Sequence, residues 1–165
     1  MSAPTVTLRP MTEEERQTWV RRQGIPGFAF EVRRSGALGD VAARRKAEHD
    51  YAALEGAADV EWRIAEGEPD GGPRCVVGGV VWRIEAEHGE PSLFVLDMEV
   101  HAAYRGRGFG RAVMSAVVDE ARAAGAHRVG LTVWTGNEIA RGLYDDLGFR
   151  PASTFMVLTL DRPRR

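Results

Sequence analysis

Between residues 92 and 125 the hydrophobic period of the chain changes once, and glycines mark the change. "SLFVLDMEV" alternates as a strand does, with Phe94, Leu96, Met98 and Val100 on one face and Val95, Asp97 and Glu99 on the other. "YRGRGFG" then sets Gly106, Gly108 and Gly110 at alternate positions, with Arg105, Arg107 and Arg111 beside them. "RAVMSAVVDEARAAG" follows with Val113, Met114, Val117, Val118 and Ala121 on one helical stripe, and Gly125 stands where a left-handed residue would end that helix. Strand, glycine turn and amphipathic helix in so short a span require the helix to fold back on a sheet, with the turn at its N-terminus.

The flanking segments extend this layout. "TVTLRP" has strand character, and Thr12-x-x-Glu15 is a capping box that starts a helix at about Thr12, with a stop expected near Gly24. "GIPGFAF" is read as a Gly/Pro connector, and "GDVAARRKAEHDYAAL" as a helix capped by Asp40 with Ala43, Ala47, Tyr51 and Leu54 on one stripe. "VEWRIAE" and "RCVVGGVVWRIE", separated by the turn chemistry of "GEPDGGP", form a hairpin. Later come a buried-type strand, "HRVGLTVW", a helix entered at Asn137 and left at Gly148, and a final strand, "STFMVLTL". The order is mixed α/β, of the α+β kind, with helices covering a largely antiparallel sheet.

A chain of 165 residues without internal repeats is read as a single domain, residues 1–165. Twenty-two Lys and Arg against 24 Asp and Glu leave a net charge of −2, which excludes a nucleic-acid partner held by bulk charge and makes any cationic site local. Cys75 is the only cysteine, and "MSAPTVTLRPMTEEER" contains no apolar signal core, so a cytoplasmic location is expected. No apolar run approaches the roughly 18 residues of a membrane span, so no membrane partner is expected. His49, His88, His101 and His127 are scattered, and no metal site is expected. The tryptophans, with Phe28 and Phe30, are assigned mainly to the core, and Cys75 to an inert core thiol.

Glycines at a strand-to-helix turn let successive backbone N–H groups point at one ligand, and the helix dipole adds roughly half a positive charge there. Three arginines add charge-assisted donors, so the turn suits a phosphate, and its length suits a pyrophosphate. A dinucleotide fingerprint is excluded, because counting from Gly108 the sixth residue is Val113 rather than glycine. The Gly-Lys-Ser/Thr of a nucleotide P-loop is also missing.

"LDMEVHAAYRGRGFGRAVM" resembles the pyrophosphate-binding motif of the GNAT (Gcn5-related) N-acetyltransferases, R/Q-x-x-G-x-G/A, through Arg105, Gly108 and Gly110. "LTVWTGNEIARGLYDDLGFRP" resembles a second family signature through Asn137, Ala140, Leu143, Tyr144, Gly148 and Phe149. Together with "VVGGVVW" the resemblance covers about residues 74–160. It implies the GNAT fold, a largely antiparallel sheet of about six to seven strands flanked by about four helices. It also implies acetyl-coenzyme A as cosubstrate, with its pyrophosphate on Arg105, Gly106, Arg107, Gly108, Phe109, Gly110 and Arg111 and its pantetheine arm along the backbone of Met98, Glu99 and Val100. Asn137 and Ala140 would lie along that arm, and Tyr144 would protonate the departing thiolate.

The activity so implied is direct acetyl transfer to a primary amine on a small molecule or peptide, and the resemblance admits a homodimer. Among candidate general bases, Glu99 and Asp97 are the nearest carboxylates, but strand alternation aims them away from the Val100 face unless a bulge re-aims one. Such a bulge is a family feature. Glu31 and water are the alternatives, and a catalytically silent coenzyme A-binding regulatory module is the rival reading of the whole chain.

Overall fold

The computed structural model describes residues 3–36, 38–87, 89–156 and 158. Contacts divide the chain into two compact units, Met1–Gln17 with Ala57–Val133, and Thr18–Gly56 with Trp134–Arg165.

The first unit holds one five-stranded sheet in the order β1 (Val6–Pro10), β2 (Val60–Gly67), β3 (Cys75–Glu87), β4 (Glu90–Val100), β5 (Arg128–Leu131). The first three pairings are antiparallel and β4–β5 is parallel. Helix α1 (Glu13–Trp19) begins as the capping box requires: Glu15 N–H donates to Thr12 Oγ1 at 3.2 Å, and Thr12 N–H donates to the Glu15 carboxylate at 2.9 Å. Arg9 on β1 donates to Glu15 and to Glu66 on β2, each at 2.7 Å, so one guanidinium fastens strand pair and helix start together. Helix α4 (Phe109–Ala123) packs on β1, β3, β4 and β5. Its Val113, Met114 and Val117 are wholly buried, as are Val77, Val80 and Val81 of β3, and each such side chain stabilises by about 1.5–3 kcal/mol. α4 ends as expected at Gly125, φ 72°, where Ala126 N–H reaches back to Ala121 O and Gly125 N–H to Arg122 O.

The second unit departs from the sequence reading. The helical path does not stop at Gly24: a π-helical turn, Val20–Gly24, leads straight into α2 (Ile25–Arg34). Pro26 sits in the first turn of α2, where its missing N–H costs nothing. Gly24 serves packing, since a Cβ there would overlap the ring of Tyr51 on α3 (Asp40–Glu55). The "GIPGFAF" connector is therefore mostly helix. Gly39 holds the cap position of α3 instead of Asp40, which opens the helix and pairs with Arg33 at 3.3 Å. Ala43, Ala47 and Tyr51 are buried as their spacing requires.

The sheet has five strands among the described residues, fewer than the six to seven expected. Residues 151–156 form no strand, and Val157, Thr159 and Leu160 of the expected "STFMVLTL" strand lie outside the described residues. Apolar alternation supplies a face but not a ladder; without a neighbouring strand, Phe155, Met156 and Leu158 stay 83–87% exposed.

Candidate active site

In the first unit, the register of β4 on β3 slips by one residue: Val95 faces Trp82 and Asp97 faces Val81, so Leu96 is the extra residue of a β-bulge. Side chains of paired residues share a face, so the bulge regroups the strand. Leu93, Val95, Met98 and Val100 fall on one side, and Ser92, Phe94, Asp97 and Glu99 on the other. The grouping expected from simple alternation, Phe94 with Met98 and Val100, is corrected accordingly, and the two carboxylates share their face with Phe94 and Ser92.

The same segment has an open edge. β5 pairs only with Ser92–Val95, so beyond Val95 the strand has β3 on one side and no described strand on the other. The backbone of Met98, Glu99 and Val100 thus belongs to a strand end able to accept an extended ligand as a further strand. On the β3 side the fit is close, because a Cβ on Gly78 would overlap the Glu99 carbonyl oxygen.

Arg105 fastens the turn to this strand end. Its Nε donates to Val100 O at 2.8 Å and its Nη2 to Glu99 Oε1 at 2.7 Å. Burial pushes the Glu99 carboxyl above its ordinary range; Arg105 pulls the other way, and Asp97 adds to the rise. The Glu99 side chain is 28% exposed, so the carboxyl is held by Arg105 yet open to solvent on one side.

The glycine turn has the conformation its composition requires. Gly106 and Gly108 have φ of 72° and 85°, in the left-handed region, and Gly108 is the N-cap of α4. A Cβ on Gly106 would meet nothing within 4 Å, whereas one on Gly108 would press on the Pro4 ring at 3.1 Å. The α4 ladder opens with Ala112 N–H to Gly108 O, so the amides before Ala112 precede the ladder at the positive end of the helix dipole. Phe109 contributes backbone only, since its ring is 2% exposed and packs edge-on against Tyr104 at 6.0 Å. Arg107 pairs with Asp70 at 3.0 Å, a contact the sequence did not reveal. The Pro-Asp-Gly turn was visible; that Asp70 adopts a left-handed φ of 54° and meets the glycine turn was not. Cys75 is half-buried and its Sγ lies 3.3 Å from the Tyr104 hydroxyl; the phenol's pKa is raised, first because its proton is held in the hydrogen bond with Cys75 and then because an ionised thiol would repel the phenolate.

In the second unit, Asn137 caps α5 (Glu138–Asp146), its Oδ1 accepting from Ala140 N–H at 3.2 Å. The helix closes at Gly148, φ 92°, with Phe149 N–H on Tyr144 O and the Tyr144 and Phe149 rings 5.7 Å apart. Tyr144 is half-buried. Asn137, Ala140 and Tyr144 thus follow one another along α5 at helical spacing.

The sequence signature of the Acetyltransferase (GNAT) family matches residues 39–149. The chain belongs to the GNAT acetyltransferase family. The matched span of this GNAT chain contains β4, the glycine turn, α4 and α5, and begins after α2. Among curated relatives, the uncharacterized N-acetyltransferase YdgE of Bacillus subtilis (strain 168) is 28% identical over 149 residues, 87% of this chain and 90% of its own. The uncharacterized N-acetyltransferase YycN of the same organism is 30% identical over 95 residues, which span 58% of each chain. The crystal structure of YycN superposes with a TM-score of 0.84 at 24% identity, covering 96% of this chain and 100% of that one. AAC(6')-Iy, solved in complex with the bisubstrate analog CoA-S-monomethyl-acetylneamine, shares the fold at TM-score 0.59 and 18% identity over 95% of this chain and 99% of that one.

Proposed function

We propose that this GNAT chain, acting as one domain, transfers an acetyl group from acetyl-coenzyme A directly to a primary amine. The observation that carries the reading is the open edge of β4 beyond Val95, running into two left-handed glycines and the N-terminus of α4. A strand edge suits the amides of a pantetheine arm, and the turn suits a pyrophosphate. That AAC(6')-Iy was solved with a coenzyme A bisubstrate analog supports the same use of the fold here.

In the proposed reaction the neutral amine attacks the acetyl carbonyl carbon. A C–N bond forms, the C–S bond breaks, and the electron pair leaves with sulfur. Tyr144 gives its phenolic proton to the thiolate, and Glu99, directly or through water, accepts the proton lost by the amine. Asn137 and Ala140 flank the pantetheine arm, while Arg105 and Arg107 act on the turn from their present partners, Glu99 and Asp70.

Thiol release from acetyl-coenzyme A in the presence of amines tests this reading. Tyr144→Phe is expected to lower kcat by a factor on the order of 10² to 10⁴ while leaving the coenzyme A dissociation constant nearly unchanged. A variant within about twofold of wild type, with chemistry rate-limiting, refutes the role of Tyr144. The ion pair of Glu99 with Arg105 favours the rival reading, a silent coenzyme A-binding module. Acetyl-coenzyme A binding without thiol release from any amine would establish that rival.

A further inference from the structure

Within the second unit, Arg34 at the end of α2 stands over two aromatic rings. Its guanidinium carbon lies 4.3 Å from the Trp134 ring centroid and 5.4 Å from that of Phe30. A cation–π contact engages the charge of a guanidinium without using its N–H donors, which stay available to an oxygen acceptor. Two other arginines of this unit are engaged: Arg33 pairs with Asp40 at 3.3 Å, and Arg141 Nη1 donates to Thr135 O at 2.9 Å. The Arg34 side chain takes part in no hydrogen bond or ion pair among the described residues. It is exposed, as is the Phe30 ring at 49%.

Trp134, under Arg34, is held by close contacts within its own turn. Trp134 folds over Gly136, where any Cβ would overlap the indole, and Trp134 O accepts from Asn137 N–H at 2.9 Å. Arg141 and the Asn137 cap hold the rest of that turn. The clamp is thus built on the turn that opens α5, the helix carrying Tyr144. A guanidinium held over aromatic rings, with its N–H donors unspent on protein side chains, can take a planar oxyanion in bidentate fashion. A polycationic ligand would meet Arg34 as a like charge.

We infer that Arg34, held by Trp134 and Phe30, anchors a carboxylate on the acceptor, so that the amine acetylated belongs to an amino acid or a short peptide rather than to a polyamine or an amino sugar. This rests on the transferase reading and narrows it. The same fork would take a phosphate, and the one phosphate source that reading supplies beyond the pyrophosphate is the 3'-phosphate of coenzyme A.

The test is a thiol-release comparison of amino acids with their amides, which keep the amine and lose the charge. Wild type is expected to favour the acids by at least about tenfold in kcat/KM. Arg34→Gln should raise KM for the acids by about tenfold to a hundredfold, with kcat within about threefold, and leave KM for the amides unchanged. Arg34→Lys, which keeps the charge without the fork, should recover part of that loss. Equal use of acids and amides by an active wild type, or an unchanged KM in Arg34→Gln, overturns this inference alone. So does an Arg34→Gln protein whose binding of acetyl-coenzyme A weakens while that of the 3'-dephospho form does not, since Arg34 would then hold the cosubstrate. Absence of thiol release with every amine overturns the transferase reading, and this inference falls with it.

Discussion

Gly78 sits on β3 opposite Ala65 of β2 and Val100 of β4, and its missing side chain is what lets the β4 end approach so closely. An alanine Cβ would overlap the Glu99 carbonyl oxygen, lie 3.0 Å from Val100 Cα and 3.1 Å from Glu99 C. All three are backbone atoms, so no rotamer change relieves the overlap, and the strands must separate toward ordinary contact distance. Overpacking of this kind costs about 1–3 kcal/mol, and loss of a ladder hydrogen bond adds about 1 kcal/mol. Gly78→Ala is therefore expected to destabilise by about 2–4 kcal/mol, which in a chain of this size lowers Tm by on the order of 5–15 °C. Separation also displaces Glu99 and Val100, to which Arg105 is bonded, so acetyl-coenzyme A binding should weaken by a factor of about ten or more. Thermal unfolding by circular dichroism and calorimetric titration measure the two effects. A variant melting within about 2 °C of wild type and binding as tightly would show that neither the close approach nor the β4 edge matters as argued.

Glu15 carries a pH dependence. Its hydrogen bonds to Arg9, the largest cause, hold its carboxyl at about 2 against an ordinary 4.5, so the stability it brings is full above about pH 4.5 and is lost as pH falls toward 2. Because the pair is 30–36% exposed, solvent screening keeps that contribution near about 1 kcal/mol; Glu15→Gln should flatten the acid limb of a Tm-versus-pH curve, and an unchanged limb would refute the assignment. Gly142, inside α5, has open space where its Cβ would stand, so Gly142→Ala should stabilise by about 0.5–1 kcal/mol in a denaturant melt, the opposite sign to Gly78→Ala.

The elements read correctly from the sequence are those whose signal is local. The Thr12–Glu15 box, the α4 stripe and the glycine ends at Gly125 and Gly148 each need only a few neighbouring residues to explain them. Gly24 misleads for a matching reason: its local signal is a helix stop, and its actual role, close approach to Tyr51, depends on a residue far along the chain. Residues 153–156 differ in the same way: the β-pattern is present, but pairing requires a partner strand that the pattern does not contain.

The site divides along the same line. Left-handed glycines at 106 and 108 and the capping role of Asn137 follow from residue type and position. The regrouping of β4 does not, because a bulge is a property of two strands: nothing in "SLFVLDMEV" says that Leu96 lacks an opposite number until β3 is laid beside it. That one extra residue decides which side chains Glu99 and Asp97 keep company with: Phe94 and Ser92 in place of Val95 and Leu93. The partners of the arginines are also tertiary facts. Composition counts them as equivalent cations, yet Arg105 is tied to Glu99 and Val100, and Arg107 to Asp70. A phosphate arriving at the turn must therefore compete with two carboxylates already in place. On the proposed function, part of the affinity would come from the backbone amides ahead of Ala112, at the end of α4 where the helix dipole favours an anion.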